Sequence, residues 1–337
     1  ALWYFVSGVR LVPAAAWFAP AFMLLWFRSR RPAVGYGVAV GAVAVPMYFA
    51  WRGALGAILP PVYYIVLILA FAALYLLPYL ADRWVGCRIP GFAATLVFPA
   101  AVVTWEYVVS LVSPFGTWNT LAYTQYGALP LMQLAAITGL AGISFVVAWF
   151  GAVVVWAVTR HAENKPIGAV AIYVGVLAAV IVGGGVRLAL APRDPAVRMA
   201  GITPRPFYLA ARPDLAEALW RGKTFTDEET ATARREIAGI VDDLFARSRR
   251  EARAGARVVV WGEAAAQVLQ EDEAALLARA RSLAREERIY LAVAWAALTP
   301  GRDKPVTNKV ALVAPDGRTL YEYAKSRPVP GFEDAIT

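Results

Sequence analysis

Tyr321-Glu-Tyr-Ala-Lys-Ser-Arg-Pro-Val-Pro-Gly-Phe-Glu333 follows a strand-like run and sets an ammonium, Lys325, and a carboxylate, Glu333, eight positions apart. Pro328, Pro330 and Gly331 lie between them and prevent either a helix or a regular strand, so the segment reads as a rigid loop carrying charge. Sixty-two residues upstream, Arg257-Val-Val-Val-Trp-Gly-Glu263 reads as a buried strand that ends on a second carboxylate. A Glu, a Lys and a second Glu at strand ends are what a thiol-based acyl-transfer site needs apart from its thiol.

The residues around these two stretches alternate between helix and strand patterns. Val197 to Thr203 reads as a first strand, and Thr226 with Glu229 forms a capping box that opens a helix. Ile237, Ile240, Val241, Leu244 and Phe245 then repeat at helical spacing. After the strand Val258 to Trp261 comes a helix from about Asp272 to Glu287, with Leu276, Ala280 and Leu283 on one side. Strands from Ile289 to Leu298 and Val306 to Val313 follow, and Asp316-Gly317 turns the chain into Thr319 to Tyr323. The pattern predicts an α/β layered domain with its site at strand ends.

Upstream of residue 190 the chemistry changes. The chain of 337 residues is 59% hydrophobic and 17% charged, against roughly 25% charged in a soluble domain. Charges are scarce before about residue 190 and dense after it, which divides the chain into a membrane domain, 1–190, and an extracytoplasmic domain, 191–337. Six apolar stretches are long enough to cross a bilayer, which needs roughly 20 residues each, near 8 to 27, 34 to 51, 57 to 80, 91 to 112, 131 to 158 and 167 to 190. The fifth is overlong, with room for an interfacial piece before Gly139.

Loop charge orients these spans. Arg28, Arg30, Arg31, Arg83, Arg88, Arg160 and Lys165 lie in alternate loops, and only Arg10 and Arg52 lie on the other side. Seven against two makes the first set cytoplasmic and sends the chain outside after the sixth span. Gly35, Gly37, Gly41 and the Gly183-Gly-Gly185 run read as faces for close helix contact. Glu106 stands inside the fourth stretch, where a carboxylate costs about 2.5 kcal/mol or more, so it should face a protein or water-filled interior. Two readings remain open for it, a packing hydrogen bond and a functional group.

Composition also excludes chemistry. The net charge of +9 is dispersed, with no basic run interleaved with aromatics, which argues against nucleic acid. One cysteine, Cys87, and one histidine, His161, exclude an intrachain disulfide and a multi-histidine or Cys-rich metal site supplied by this chain alone. His161 lies in a polar hinge, so a Ser-His-Asp triad is not expected. No metal or organic cofactor is implied. The start at Ala1 and the stop at Thr337 suggest a fragment.

The pair Trp261-Gly-Glu263 and Tyr323-Ala-Lys325, with Pro330-Gly-Phe-Glu333, resembles the carbon-nitrogen hydrolase (nitrilase) superfamily, whose catalytic set is Glu, Lys and Cys. Trp105-Glu106, Phe115-Gly-Thr-Trp118, Tyr123-Thr-Gln125 and Leu134-Ala-Ala-Ile-Thr-Gly-Leu-Ala-Gly-Ile-Ser-Phe145 resemble its membrane-anchored branch, the bacterial apolipoprotein N-acyltransferases. The resemblance covers nearly the whole chain. It implies a multi-pass helical membrane domain followed by an α/β nitrilase-like layered (αββα) domain, here incomplete at its C-terminus. Three departures stand out. Gly262 replaces the usual Pro, the loop after Lys325 differs, and Thr203-Pro-Arg205 replaces Gln-Gly-Asn. The tryptophan expected soon after has only Trp220 as a counterpart.

The resemblance implies that Glu263 is the general base, calling for partial burial, that Lys325 stabilises the oxyanion, and that Glu333 holds the lysine or the incoming amine. The cysteine would follow Lys325 by several tens of residues, so the chain to Thr337 would be inactive alone, and Cys87, beside a cytoplasmic loop, cannot substitute. The implied partners are a phospholipid acyl donor, an apolipoprotein acceptor and the lipid bilayer of the bacterial cytoplasmic membrane, with the protein acting as a monomer. A membrane-anchored amidase and a degenerate binding module are the alternative readings.

Overall fold

The computed structural model describes residues 2–6, 11–52, 61–113, 116–192, 195–204 and 208–326. The chain folds as two compact units, Ala1–Pro192 and Arg193–Thr337.

The first unit is helical. Its helices are α1 (Pro13–Ser29), α2 (Pro32–Trp51), α3 (Pro61–Tyr75), α4 (Leu77–Trp84), α5 (Val97–Val112), α6 (Leu129–Met132), α7 (Ala135–Ala162) and α8 (Val170–Ala189). Pro13, Pro32 and Pro61 open helices at positions where no backbone donor is required. Among the described residues, five helical segments are long and apolar enough to cross a membrane: Pro32–Trp51, Pro61–Arg88, Phe92–Val112, Ala135–Ala162 and Val170–Ala189. The first expected span falls instead on α1, whose 17 residues rise only about 26 Å. It nevertheless belongs to the packed interior, with Ala16, Ala19, Leu24 and Phe27 buried.

Two features of this unit depart from the sequence reading. Arg28 lies within α1 rather than in a loop and donates through Nε and Nη2 to both oxygens of Asp82 at 2.9 and 2.8 Å. Asp82 is fully buried, so removing either partner would leave a costly unpaired charge. The expected glycine faces are also only partly used. Gly184 packs on Pro130, where an added Cβ would lie 1.9 Å from the carbonyl oxygen, but Gly37, Gly41, Gly183 and Gly185 face open space. The expected break at Gly139 is present, with φ 63° and ψ −158° inside α7.

The second unit contains β1 (Met199–Ile202), α9 (Tyr208–Ala211), α10 (Pro213–Trp220), α11 (Asp227–Arg253), β2 (Val258–Trp261), β3 (Ala266–Leu269), α12 (Glu273–Glu287), β4 (Tyr290–Leu298), β5 (Val306–Val313) and β6 (Thr319–Ala324). The capping box opening α11 is complete, with Thr226 Oγ1 accepting from Glu229 N and Glu229 accepting from Thr226 N. The strands form one sheet of order β1-β2-β4-β5-β6, and β3 pairs with the far half of β4. β1, β2 and β4 are parallel, whereas β5 runs against both β4 and β6. β3 escapes the sequence reading because Ala266-Gln-Val-Leu269 is four residues long with a single β-branched side chain.

α11 and α12 pack side by side on the sheet. Val259, Trp261, Leu291, Val293, Trp295 and Ala311 from the strands share one core with Leu244, Phe245, Leu276, Ala280 and Leu283 from the helices. The described residues therefore supply a helical layer and a sheet. Gly317, at φ 82°, makes the tight turn between β5 and β6.

Candidate active site

Sheet direction brings the candidate residues together. The C-terminal ends of β2 and β6 and the N-terminal end of β5 lie on one edge, because β5 alone of the three runs the other way. Glu263 follows β2, Lys325 follows β6, and Asn308 is the third residue of β5. Loops at this end of parallel strands are where α/β sheets hold their ligands.

The root of Glu263 is fixed by backbone and packing. Gly262 N donates to Ile202 O at 2.8 Å, which extends the β1–β2 ladder by one bond. A side chain at residue 262 would meet Thr203 Oγ1 at 2.8 Å. These two contacts give a physical reason for Gly here, since proline has no N–H to donate. Ala265 N closes the turn on Gly262 O at 3.0 Å, and Ala264 is held at φ 52°, a conformation side chains rarely adopt. On the other side of the strand, buried Trp261 donates to Ser248 Oγ at 2.8 Å, and Ser248 donates to Leu244 O at 2.7 Å. β2 is thus tied to α11.

Lys325 and Asn308 are held as a pair. The β5–β6 register continues beyond Lys309 and Ala324, so that Lys325 N donates to Asn308 O at 2.8 Å. Directly opposed residues present their side chains to the same face. Lys325 Nζ and Asn308 Nδ2 both reach Glu263 Oε1, at 2.9 and 2.7 Å. No donor among the described residues engages Oε2 of Glu263.

A second Lys–Glu pair lies on the opposite face and has a different character. Lys309 Nζ donates to Glu273 Oε2 at 3.0 Å, while Trp295 Nε1 donates to Glu273 Oε1 at 2.9 Å. Both carboxylate oxygens are used, both charged side chains are mostly buried, and the pair sits at the start of α12 under the helical layer. Both oxygens of Glu273 are thus engaged by side chains of the sheet, and the pair ties α12 to it.

The structure therefore brings Glu263 and Lys325 together, while Glu333 lies outside the described residues. The partial burial expected of Glu263 is not found among the described residues, since its side chain is 65% exposed and that of Lys325 30%. Trp220 is the last residue of α10 and packs against the core. The residue the sequence reading missed is Asn308. Its one signal is composition, because Asn is a poor strand former placed inside Val306-Thr-Asn-Lys-Val-Ala-Leu-Val313. After Lys325 the chain is shaped by Tyr323, whose hydroxyl lies 2.9 Å from Ser326 Oγ and accepts from Ser326 N at 3.2 Å. Those hydrogen bonds hold the Tyr323 phenol below the usual tyrosine range.

In the helical unit, Glu106 on α5 accepts from Leu121 N at 2.7 Å, and Ser144 on α7 accepts from Ala122 N at 3.0 Å. Trp17 on α1 donates to Gln125 Oε1 at 2.8 Å. Leu121–Gln125 form a 3-10 turn whose first backbone donors are met by these side chains. The hydrogen-bonding reading of Glu106 thus has a partner. Cys87 is exposed, in the turn Gly86–Arg88.

Comparison with known proteins places these features in context. Residues 2–153 match the family model described as apolipoprotein N-acyltransferase N-terminal domain. The apolipoprotein N-acyltransferase of Geobacter metallireducens is 28% identical over 247 residues, covering 71% of this chain and 43% of that protein. This chain thus spans less than half the length of that curated relative. Among solved structures, an amidase from Nesterenkonia sp. is 20% identical, with 44% of this chain and 50% of that chain covered and a TM-score of 0.28. A mutant amidase from Nesterenkonia sp. AN1 in complex with butyramide is 22% identical, with 42% and 48% covered and a TM-score of 0.24.

Proposed function

We propose that this chain is a member of the apolipoprotein N-acyltransferase family, which its residues 2–153 match, and carries the base and the cation of an acyl-transfer enzyme. The reaction moves a fatty acyl chain from a phospholipid, through a cysteine thioester, to the N-terminal amine of a diacylated apolipoprotein. The observation that carries this reading is the convergence of Lys325 Nζ and Asn308 Nδ2 on one oxygen of Glu263.

In the first half-reaction Glu263 takes the thiol proton, the thiolate attacks the donor ester carbonyl, and Lys325 donates to the oxyanion. Collapse of the tetrahedral intermediate breaks the ester bond, and Glu263 returns the proton to the departing lysophospholipid alkoxide. In the second half-reaction the acceptor amine attacks the thioester and Glu263 takes its proton. The amide forms as the C–S bond breaks, and the proton goes back to sulfur. Glu333 completes the set by holding Lys325 or the amine. The cysteine is expected several tens of residues beyond Lys325.

Topology supports an extracytoplasmic site in the bacterial inner membrane. The Arg30–Arg31 turn precedes the first of five crossings, so the chain leaves the last one on the opposite side whether or not α1 also spans. With Arg28, Arg83 and Arg160 inside helices, Arg30, Arg31, Arg88 and Lys165 against Arg10 and Arg52 still favour a cytoplasmic Arg30–Arg31 turn. An active site there would meet both lipid substrates at the outer leaflet.

The test incubates full-length protein with a phospholipid labelled in its acyl chain and a diacylated lipopeptide. Label in the peptide amide is the expected result. Label found only as free fatty acid would replace this reading with a membrane-anchored nitrilase-like hydrolase that passes its thioester to water, and no turnover with either acceptor would favour a binding module.

A further inference from the structure

Tyr321 and Tyr323 share a strand, a face and an exposure, and differ in what their hydroxyls do. Both lie on β6, two residues apart and so on one face, which Lys325 continues beyond the strand end. Tyr321 is 52% exposed and Tyr323 50%. Leu312 and Val310 stand opposite them in the ladder, as Asn308 stands opposite Lys325. The Tyr321 hydroxyl has no hydrogen bond among the described residues. That of Tyr323 has two, both to Ser326.

Those two bonds mark where the chain turns. Had β6 run on, Ser326 would lie roughly 10 Å beyond Tyr323 and on the other face of the sheet. Instead Ser326 sits in a bend, where its N–H donates to the Tyr323 hydroxyl at 3.2 Å and its Oγ lies 2.9 Å from the same oxygen. The phenol thus closes a ring over Ala324 and Lys325. The Lys325 backbone is held on both sides, by its own N–H to Asn308 O at 2.8 Å and by the next amide to Tyr323. Hydrogen bonding from Ser326, with the Lys325 charge after it, holds the phenol below the usual tyrosine range.

The ammonium of a lysine hangs on a long flexible stem, so it is placed only as well as its root is fixed. We infer that Tyr323 is a positioning residue for Lys325, its hydroxyl clamping the Lys325–Ser326 bend so that the ammonium meets Glu263. This deepens the proposed acyl transfer and rests on the role given there to Lys325. Tyr323 acts through the lysine and needs no contact with substrate.

The experiment follows acyl-enzyme formation in the full-length protein given a phospholipid donor and no amine. It compares Tyr323→Phe, Tyr321→Phe, Lys325→Ala and the double variant Tyr323→Phe/Lys325→Ala. Tyr323→Phe keeps the ring and loses only the hydroxyl. It should slow the step about tenfold at saturating donor, the scale of one hydrogen bond, with the half-saturating donor concentration and the melting temperature unchanged. Tyr321→Phe should match the wild type. In the Lys325→Ala background the Tyr323 change should add nothing, because its effect passes through the ammonium. Hydrogen exchange, read without turnover, should show the Ser326 amide exposed in Tyr323→Phe and protected in Tyr321→Phe. A wild-type rate in Tyr323→Phe, equal losses in the two tyrosine variants, unchanged protection of Ser326, or a tenfold loss that persists without Lys325 would each overturn the inference and leave the acyl-transfer reading in place. Adduct formation at the wild-type rate in Lys325→Ala would overturn both.

Discussion

Lys325 Nζ lies 2.9 Å from Glu263 Oε1, although 62 residues separate the two in sequence. Asn308 makes this meeting specific, since its carbonyl fixes the Lys325 backbone and its amide reaches the same carboxylate oxygen. Without the amide, Glu263 would be held by its flexible partner alone, and small misplacements of the proposed base would be costly. Asn308→Ala in the full-length enzyme should lower kcat about tenfold with KM nearly unchanged. Asn308→Asp should be worse, because it sets a second carboxylate against Glu263. Steady-state kinetics on the two variants distinguish this from a general loss of folding, which would reduce active enzyme equally in both.

Gly262 tests the geometry of the strand end. Replacing it with proline removes the donor to Ile202 O, leaving a carbonyl on a buried residue without that bond. Loss of such a partner costs about 1–3 kcal/mol. Gly262→Pro should therefore lower the urea midpoint of the second unit. An unchanged midpoint would show that the Gly262–Ile202 bond contributes little.

Glu106 separates two roles by one pair of substitutions. Glu106→Gln keeps an oxygen to accept from Leu121 N and should retain stability and activity. Glu106→Leu leaves that donor unmatched, and should destabilise the detergent-solubilised protein by about 1–3 kcal/mol. Loss of activity in Glu106→Gln at unchanged melting temperature would instead assign the carboxylate a chemical role.

Acid stability should report on Arg212. This residue donates to both oxygens of Asp214, at 3.0 and 2.8 Å, and to Glu236 of α11 at 2.7 Å. Hydrogen bonding from Arg212 is the main cause that pushes Asp214 down to about 2 from its ordinary 3.8. A depressed carboxylate contributes stability that is present above the unfolded value and lost as pH falls through the folded one. Between pH 4 and 2 the wild type should therefore lose more stability than Arg212→Gln. Acid unfolding followed by circular dichroism checks this, and parallel curves would exclude the linkage.

Much of the architecture could be read from the sequence, for reasons that residues make plain. Thr226 with Glu229 marks a helix start because their side chains and backbones satisfy each other, and both bonds are present. Asp316-Gly317 marks a turn because Gly317 takes a positive φ. Gly139 marks a break for the same reason. What escaped depends on partners far away in the chain. Asn308 carries no charge to attract notice, and its role exists only once β2 and β6 flank the site. Arg28 reads as a loop cation until Asp82 is seen beside it. The small-residue runs around Gly37 and Gly183 have the composition of contact faces, but which glycine meets a neighbour is set by where α6 lies, with its Pro130 against Gly184.

The most direct test of the site is the acyl-enzyme itself. Full-length protein given a phospholipid donor and no amine should gain one acyl mass, removable by hydroxylamine, as intact mass spectrometry would record. Glu263→Gln should lose this adduct for want of a base. Lys325→Ala should form it more slowly by the factor of about 100 to 1,000 that loss of an oxyanion donor carries. Wild-type rates of thioester formation in both variants would contradict the roles assigned to Glu263 and Lys325.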